Sequence, residues 1–193
     1  MERRAATERA ILDAVETLLA ERPFRDVAVE DVMSIAGLTR TALYRYFPDR
    51  ESVLLRLMVE VAAELTEASR LWLDSSDPKG SMGEAGAALA RVYQRRGRLL
   101  LAFADAAASG QDVERTWRDA VGGFVAMCAD RIGALAAAGI ADVEEPVETA
   151  RALVWMTERY LLEVFAREPV EGMTPERAAD VLGRIWQRTL YPA

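Results

Sequence analysis

A short polar run between residues 39 and 44 carries side chains well suited to recognising another molecule. Thr39, Arg40, Thr41 and Tyr44 fall on the polar face of a predicted helix, with Leu43 left to pack inward. Arginine can bond guanine O6 and N7, threonine can bond a base edge or touch a thymine methyl, and a tyrosine hydroxyl reaches phosphates. The chemistry that this pattern indicates is hydrogen bonding to double-stranded DNA.

The residue types on which most enzymes depend are scarce in this chain. It has 193 residues, no histidine and a single cysteine, Cys128, which excludes Ser-His-Asp and Cys-His nucleophiles and the usual zinc, iron and copper ligand sets. The single lysine, Lys79, lies in a Gly/Ser/Pro-rich stretch that does not favour Schiff-base chemistry. There is no Gly-rich phosphate loop and no convergent carboxylate pair. We therefore expect no enzyme, no metal site and no cofactor.

The charge of the chain is distributed in favour of a nucleic-acid partner near the N-terminus. The net charge is −7, which by itself opposes phosphate binding. Residues 39–50, however, carry three arginines against the single acid Asp49, and Arg3 and Arg4 add positive charge at the start of the chain. The acidic excess lies mostly elsewhere.

Two short helices around a glycine are predicted to position the polar run. Gly37 follows the last apolar residues of the first helix, where glycine takes the left-handed conformation without a Cβ penalty. Thr39 is the expected N-cap of the second helix, and Leu38 and Leu43 are spaced as a hydrophobic staple. Asp49 is a natural N-cap for the helix that follows. A solvated corner of two helices is the alternative interpretation.

Hydrophobic periodicity predicts an all-α fold with about nine helices. An N-terminal three-helix helix-turn-helix domain over residues 1–50 is followed by a helical ligand-binding and dimerisation domain over residues 51–193. The clearest break is the turn-forming stretch 74–81. The helices are expected near 5–21, 29–36, 39–47, 50–74, 83–96, 98–108, 111–138, 146–167 and 175–190.

The segment 43–54, with Ala36-Gly37-Leu38-Thr39 before it, resembles the DNA-binding signature of the TetR family of bacterial repressors. The resemblance implies a homodimer that reads a palindromic operator with one helix-turn-helix per subunit. It places Thr39, Arg40, Thr41 and Tyr44 at base or backbone contacts and Tyr46 at a phosphate. Arg50 stands where the family usually has a phosphate-binding lysine.

The C-terminal part is similar to the EthR-like repressors of that family, through residues 155–159 and 183–191. In that group a narrow aromatic-lined channel accepts long lipophilic ligands. The similarity places seven residues on the channel wall: Trp117, Phe124, Cys128, Thr157, Glu158, Leu162 and Trp186. Val121 is added because Trp117, Val121, Phe124 and Cys128 recur on one helical face. Such residues can also simply fill a core, and Glu158 can equally pair with Arg151 or Arg159 at a surface.

The last two predicted helices, 146–167 and 175–190, spread apolar side chains over more than one face. We therefore expect both to form a four-helix interface in a homodimer. The predicted helix 50–74 begins at the helix-turn-helix domain and ends in the ligand-binding domain. It is therefore suited to transmit a ligand-induced change in the spacing between the two recognition helices.

The sequence thus predicts a repressor that binds an operator as a dimer and is released by a small lipophilic effector. A ligand-independent DNA-binding regulator whose C-terminal domain only dimerises is the first alternative, and an enzyme or protein-interaction module is the second. Neither a signal peptide nor a membrane span is readable, so we expect a cytoplasmic protein without a membrane partner.

Overall fold

The computed structural model describes residues 2–107 and 111–191. Within those residues it has eight α-helices and no strand, which confirms the all-α class. A 3-10 turn at Phe24–Asp26 follows the first helix, and a π-helical turn at Glu163–Arg167 extends the seventh. The helices are α1 Glu2–Glu21, α2 Val29–Ile35, α3 Arg40–Tyr46, α4 Arg50–Leu73, α5 Met82–Ala107, α6 Gln111–Ala137, α7 Pro146–Leu162 and α8 Pro175–Leu190.

The helix ends follow local sequence signals. Pro146 and Pro175 occupy the first turns of α7 and α8, where the missing N–H of proline costs nothing. Thr174 caps α8, because its hydroxyl accepts a hydrogen bond from the Arg177 N–H at 3.2 Å. Gly139, with φ of 69°, closes α6.

The structure corrects one predicted break. The expected helices 83–96 and 98–108 form the single helix α5, with Gly97 inside it. A Cβ on Gly97 would lie 2.9 Å from the Cβ of Ala166, so this glycine allows α5 to approach the π-helical turn and does not end the helix. The predicted break at 109–110, with residue 108 before it, lies outside the described residues.

The described residues divide into two compact units. The first contains residues 2–61, 98–107 and 111–117, and in it α1 contacts α2, which contacts α3. Apolar side chains of these helices are buried together. The core of this helix-turn-helix part includes Ile11, Leu12, Val15, Leu18, Phe24, Val32, Met33, Leu43, Phe47 and Leu54.

The second unit contains residues 62–97 and 118–191. It takes the last part of α4, the first part of α5, most of α6, and α7 and α8. Its core includes Ala90, Tyr93, Ile132, Ala150, Leu161, Leu162, Ala178 and Leu190. The domain boundary expected at residue 50 stays a prediction, because α4 runs without interruption from Arg50 to Leu73.

One segment in the described part of the chain, residues 113–137 of α6, is long and apolar enough to cross a membrane, since an 18-residue window within it has a mean hydropathy of 1.4. The core helix of a soluble protein can have the same length and composition. Ile132 and Leu135 of this segment are buried within the protein, and Asp130 and Arg131 interrupt its apolar run.

Candidate nucleic-acid interface and ligand pocket

The turn between α2 and α3 is built around Gly37, as predicted. Gly37 has φ of 67°, its N–H donates to the Ser34 carbonyl at 3.3 Å, and the Leu38 N–H donates to the Met33 carbonyl at 2.9 Å. These two bonds form a Schellman motif, which satisfies carbonyls that the end of α2 leaves open. The motif ends α2 sharply and reverses the chain into α3.

The helix α3 has one buried face and one polar face. Leu43 is 1% exposed and Phe47, which follows the helix, is 6% exposed, so both anchor it in the core of the first unit. The opposite face is accessible to solvent. The exposed residues on it are Thr39, Arg40, Thr41, Tyr44 and Arg45.

Thr39 is the N-cap residue of α3, with extended backbone angles, and its carbonyl accepts the Ala42 N–H at 2.8 Å. Its side chain makes no capping hydrogen bond. The prediction is therefore correct for the position of Thr39 and wrong for the hydroxyl, which remains exposed at the start of the helix. An exposed hydroxyl at this position can serve intermolecular contact.

Arg40 has an ion-pair partner within the first unit. It forms an ion pair with Glu30 of α2, in which both side chains are more than half exposed. A hydrogen bond with Tyr44, followed by the charge of Glu30, raises the pKa of Arg40. Because exposed ion pairs contribute little stability, the Arg40 guanidinium can exchange Glu30 for another acceptor.

Arg50 is half-buried and holds backbone of the turn that precedes α2. Its Nη1 donates to the Val27 carbonyl at 2.9 Å and lies 3.5 Å from the carbonyls of Phe24 and Arg25. The guanidinium also lies 4.9 Å from the centroid of the Phe24 ring. Arg50 therefore ties the start of α4 to the region between α1 and α2.

Asp49 caps α4, as predicted. Its Oδ1 accepts hydrogen bonds from the Ser52 N–H at 2.7 Å and from the Ser52 hydroxyl at 2.6 Å. Tyr46, at the last position of α3, is half-buried, and the Arg4 guanidinium lies 5.9 Å from its ring centroid. The first turn of α1 thus adjoins the end of α3.

The second unit holds an apolar pocket that is open to solvent and has a cavity volume of about 80 Å³. Five helices contribute to its wall, so it lies between helices of one bundle, a common location for small-molecule sites. Its lining residues are Ser69 and Trp72 of α4, Met82, Ala85, Gly86 and Leu89 of α5, Phe124 and Cys128 of α6, Val154 and Thr157 of α7, and Leu182, Gly183 and Trp186 of α8.

Two indole rings and one hydroxyl organise this pocket. The rings of Trp72 and Trp186 meet edge to face, with centroids 5.6 Å apart and planes inclined by 76°. The Trp186 Nε1–H donates to the Thr157 hydroxyl at 3.0 Å. Burial raises the pKa of the Cys128 thiol to about 12, so this thiol stays protonated and acts as part of the apolar wall.

Four of the eight predicted ligand residues lie on this wall and four do not. Phe124, Cys128, Thr157 and Trp186 line the pocket. Val121 and Leu162 are buried but do not line it, and Trp117 belongs to the first unit, where its ring lies 6.3 Å from that of Phe103. Ligand contact by any of the eight residues stays a prediction.

Sequence reasoning missed the part of the wall that α4 and α5 supply. Helical spacing identifies one face of one helix, whereas Trp72 and Leu89 meet the other lining residues only after the bundle forms. Nothing in the sequence marked Gly86 as a pocket residue either. Its close packing becomes visible only in the structure, where a Cβ on Gly86 would lie 3.2 Å from the Cβ of Ala179. Trp72, an aromatic residue near the end of α4, is the feature of the sequence that could have indicated this side of the wall.

Glu158 lies beside the pocket residue Thr157 on α7 but does not line the pocket. Burial raises the pKa of its carboxyl, while the charges of Arg159 and Arg167 act in the opposite direction. Burial, and then the charge of Glu158, raises the pKa of the Tyr93 hydroxyl. Glu158 is therefore a partly buried carboxyl that feels the charge of Arg159, and its contact with a ligand stays a prediction.

Apolar side chains also lie exposed on the last two helices. Trp155 of α7 and Ile185 of α8 are each 40% exposed, and Val147 of α7 is 53% exposed. Burial of a tryptophan side chain is strongly favourable, and much of that free energy is not gained while Trp155 is exposed to water. This surface is the one from which the sequence predicts the dimer interface.

Two family models match this chain, one in each part of it. Residues 11–57 match the model of the family described as bacterial regulatory proteins, tetR family. Residues 83–192 match that of the transcriptional regulator EthR, C-terminal domain. The first model therefore covers the helix-turn-helix, and the second covers four of the five helices that line the pocket, with α4 outside it.

Individual relatives match along nearly the whole chain. The HTH-type transcriptional regulator EthR of Mycobacterium tuberculosis is 31% identical over 189 residues, covering 95% of this chain and 87% of the relative. EthR of Mycolicibacterium smegmatis is 26% identical over 187 residues, covering 95% and 86%. Among solved structures, a transcriptional regulator from Saccharomonospora viridis in complex with choline has the same fold, with a TM-score of 0.75, 16% identity and coverage of 95% and 96%.

Proposed function

Because the chain belongs to the TetR family of bacterial transcriptional regulators, with an EthR-type C-terminal domain, we propose that it is a repressor that binds a palindromic operator as a homodimer and leaves it when a small lipophilic ligand binds. Members of this family are DNA-binding regulators and not enzymes. The observation that carries the proposal is the exposed polar face of α3, which the Gly37 turn and the buried Leu43 hold in place. Such a protein acts in the cytoplasm, where the DNA is.

In this proposal α3 enters the major groove. Arg40 and Thr41 read base edges, Thr39 and Tyr44 contact bases or backbone, and Tyr46 contacts a phosphate. Arg40 exchanges Glu30 for a guanine as the helix docks, because both members of that pair are exposed. Arg50 supports the same docking by holding the turn before α2.

The proposed dimer forms through α7 and α8 of two subunits. A two-fold axis would place Trp155 and Ile185 of both copies in one interface and remove their exposed apolar surface from water. The two recognition helices would then lie one DNA turn apart, roughly 34–36 Å, and enter successive major grooves.

The proposed effector occupies the pocket between Trp72, Trp186 and the apolar wall of the second unit. The wall favours a largely apolar molecule, and the Ser69 and Thr157 hydroxyls provide the few polar points that fix its orientation. The Ser69 hydroxyl donates to the Leu65 carbonyl at 2.8 Å, and Thr157 accepts from Trp186. We expect the ligand to favour a state whose α4 no longer holds the recognition helices at operator spacing.

DNA binding is tested by selecting bound fragments from random duplex DNA with the full-length protein at near-physiological salt. We expect a palindrome to be enriched. Thr41→Ala should relax the preference at one position of each half-site and weaken binding roughly tenfold or more, since a base contact contributes about 1–3 kcal/mol. Thr17→Ala, an exposed threonine of α1, should leave both unchanged. Enrichment of no sequence by the wild type would overturn the proposal.

Ligand response is tested on the complex with that palindrome by adding neutral lipophiles of graded chain length. Those that bind should release the DNA from the wild type. Gly183→Leu should abolish this release and keep DNA affinity, because Gly183 lines the pocket and a Cβ there meets no atom within 4 Å. Gly123→Leu, at an exposed position of α6 outside the pocket, is the control. Lipophiles that bind without changing operator affinity would favour the ligand-independent alternative.

A further inference from the structure

The arginines of the helix-turn-helix region differ in whether they have acidic partners. Arg22 pairs with Asp31 at 2.8 Å, Arg40 pairs with Glu30, and Arg50 contacts Glu51 at 3.0 Å. A fourth, at position 25, lies 3.9 Å from the neighbouring aspartate. Much of the positive charge seen in the sequence is therefore already balanced within the protein.

Three arginines near α3 have no carboxylate partner in the described part of the chain. They are Arg3 and Arg4 in the first turn of α1, and Arg45 in the last turn of α3, and all three are exposed. Arg4 lies 5.9 Å from the Tyr46 ring, which brings the start of α1 to the end of α3 that carries Arg45. The unbalanced charge is thus concentrated at the two helix ends that meet there.

The position of Arg3 and Arg4 is unfavourable for the helix itself. The N-terminal turn of a helix carries partial positive charge, so a cation there is repelled by the helix dipole. Two adjacent arginines in that turn lower helix stability unless an anion compensates them. A phosphate group supplies that anion and also interacts with the helix N-terminus.

We propose that Arg3, Arg4 and Arg45 form a phosphate-binding surface that grips the DNA backbone beside the recognition helix. This inference rests on the proposed DNA-binding function and refines it, because it assigns backbone contact to residues outside the predicted contact set. Arg45 extends the exposed face of α3 by one turn beyond Thr41. The Tyr46 ring orients Arg4 through a cation–π contact.

The test measures how the affinity for two duplexes depends on salt. One duplex is the palindrome selected by the wild type, and the other is a mixed-sequence duplex of equal length without it. For each phosphate contact the slope of log affinity against log salt is about −0.9. Because each substitution occurs in both subunits, Arg3→Gln with Arg4→Gln should reduce the slope by about 3 to 4, and Arg45→Gln by about 2, on both duplexes.

Two control variants separate local from general charge effects. Arg3→Lys with Arg4→Lys keeps the charges and should keep the slope. Arg70→Gln removes an exposed arginine that lies 3.6 Å from Glu67 in the second unit, and it should leave the slope unchanged. All of these side chains are exposed, so every variant should fold like the wild type, and the variant with Arg3→Gln and Arg4→Gln should be at least as stable to heat.

The outcomes distinguish this inference from the proposed function. If the wild type binds the palindrome and the glutamine variants keep its salt slope, the phosphate surface is wrong and the proposed function stands. An equal reduction of the salt slope in Arg70→Gln would also overturn the phosphate surface, since the effect would then come from the net charge of the protein. If the wild type binds neither duplex, both proposals fail.

Discussion

At the scale of single residues, hydrogen bonds and burial decide which side chains remain available for function. Thr39 and Thr41 have exposed side chains, whereas Thr157 is 8% exposed and already accepts a hydrogen bond from Trp186. The same residue type thus remains open to contact in the first unit and organises the pocket in the second.

The bond between Trp186 and Thr157 is expected to couple these two residues energetically. Trp186→Phe removes the N–H and keeps an aromatic ring near Trp72, while Thr157→Val removes the hydroxyl and keeps the shape. A double-mutant cycle on the free energy of unfolding in urea should give a coupling of about 0.5–1.5 kcal/mol. Additive effects of the two substitutions would contradict the assigned bond.

Glu158 is expected to make the stability of the protein depend on pH. Burial raises the pKa of its carboxyl in the folded state, so the folded state holds this proton more tightly than the unfolded chain does. The resulting penalty is absent below the unfolded pKa of about 4.3 and grows as pH rises through the folded pKa. Glu158→Gln should therefore raise the free energy of unfolding at pH 7 relative to the wild type, and the gain should vanish near pH 4.

This expectation is measured by urea unfolding at the two pH values. Glu148→Gln removes another carboxyl of α7, one that is exposed and lies 3.1 Å from Arg151, and controls for loss of a negative charge. A destabilised Glu158→Gln at pH 7 would mean that the ionised carboxylate forms favourable interactions that outweigh its burial.

At the scale of the elements, the Gly37 turn sets the direction in which α3 leaves α2. Because Gly37 has φ of 67°, an alanine there meets backbone strain although it would contact no atom within 4 Å. We expect Gly37→Ala to cost about 1–2 kcal/mol and to weaken operator binding, and Gly37→Asn to cost less, since asparagine tolerates this conformation. Unfolding and DNA titration of the same samples measure both effects.

Gly123→Ala is a matched control for which we expect the opposite change in stability. It lies inside α6, is exposed and has no atom within 4 Å of a built Cβ. Gly123→Ala should stabilise the protein by about 0.5–1 kcal/mol, because alanine favours the helical state. A Gly37→Ala variant as stable as the wild type would contradict the role assigned to the turn.

The elements were predictable from the sequence wherever their signals are local. The proline at position 146, the cap and proline at 174–175, and Gly37 each mark a helix boundary through contacts within a few residues. Gly97 has the residue type that often marks a helix end, but it lies inside α5. A glycine is needed there because Ala166, which is 69 residues away in sequence, approaches closely. The α4 and α5 side of the pocket was missed for the same physical cause, since it depends on packing between distant helices.

At the scale of the whole molecule, the proposed function requires two copies of the chain. We expect Trp155→Glu with Ile185→Glu to yield monomers, because each copy would place two charges, and the dimer four, in the apolar interface formed by α7 and α8 with their partners. Sedimentation of the purified protein measures this. Val59→Glu, at an apolar position of α4 that is 59% exposed, is the control and should remain dimeric. A dimer that survives the double substitution would place the interface elsewhere.

The proposed function depends most directly on two recognition helices that read one face of the duplex together. The measurement is the affinity of the full-length protein for its selected palindrome and for the same palindrome with five base pairs inserted between the half-sites. Half a helical turn moves one half-site to the opposite face, so only one α3 can dock and affinity should fall to that of an isolated half-site, about 100-fold or more. Equal affinity for the two duplexes would contradict the paired geometry on which the proposed function depends.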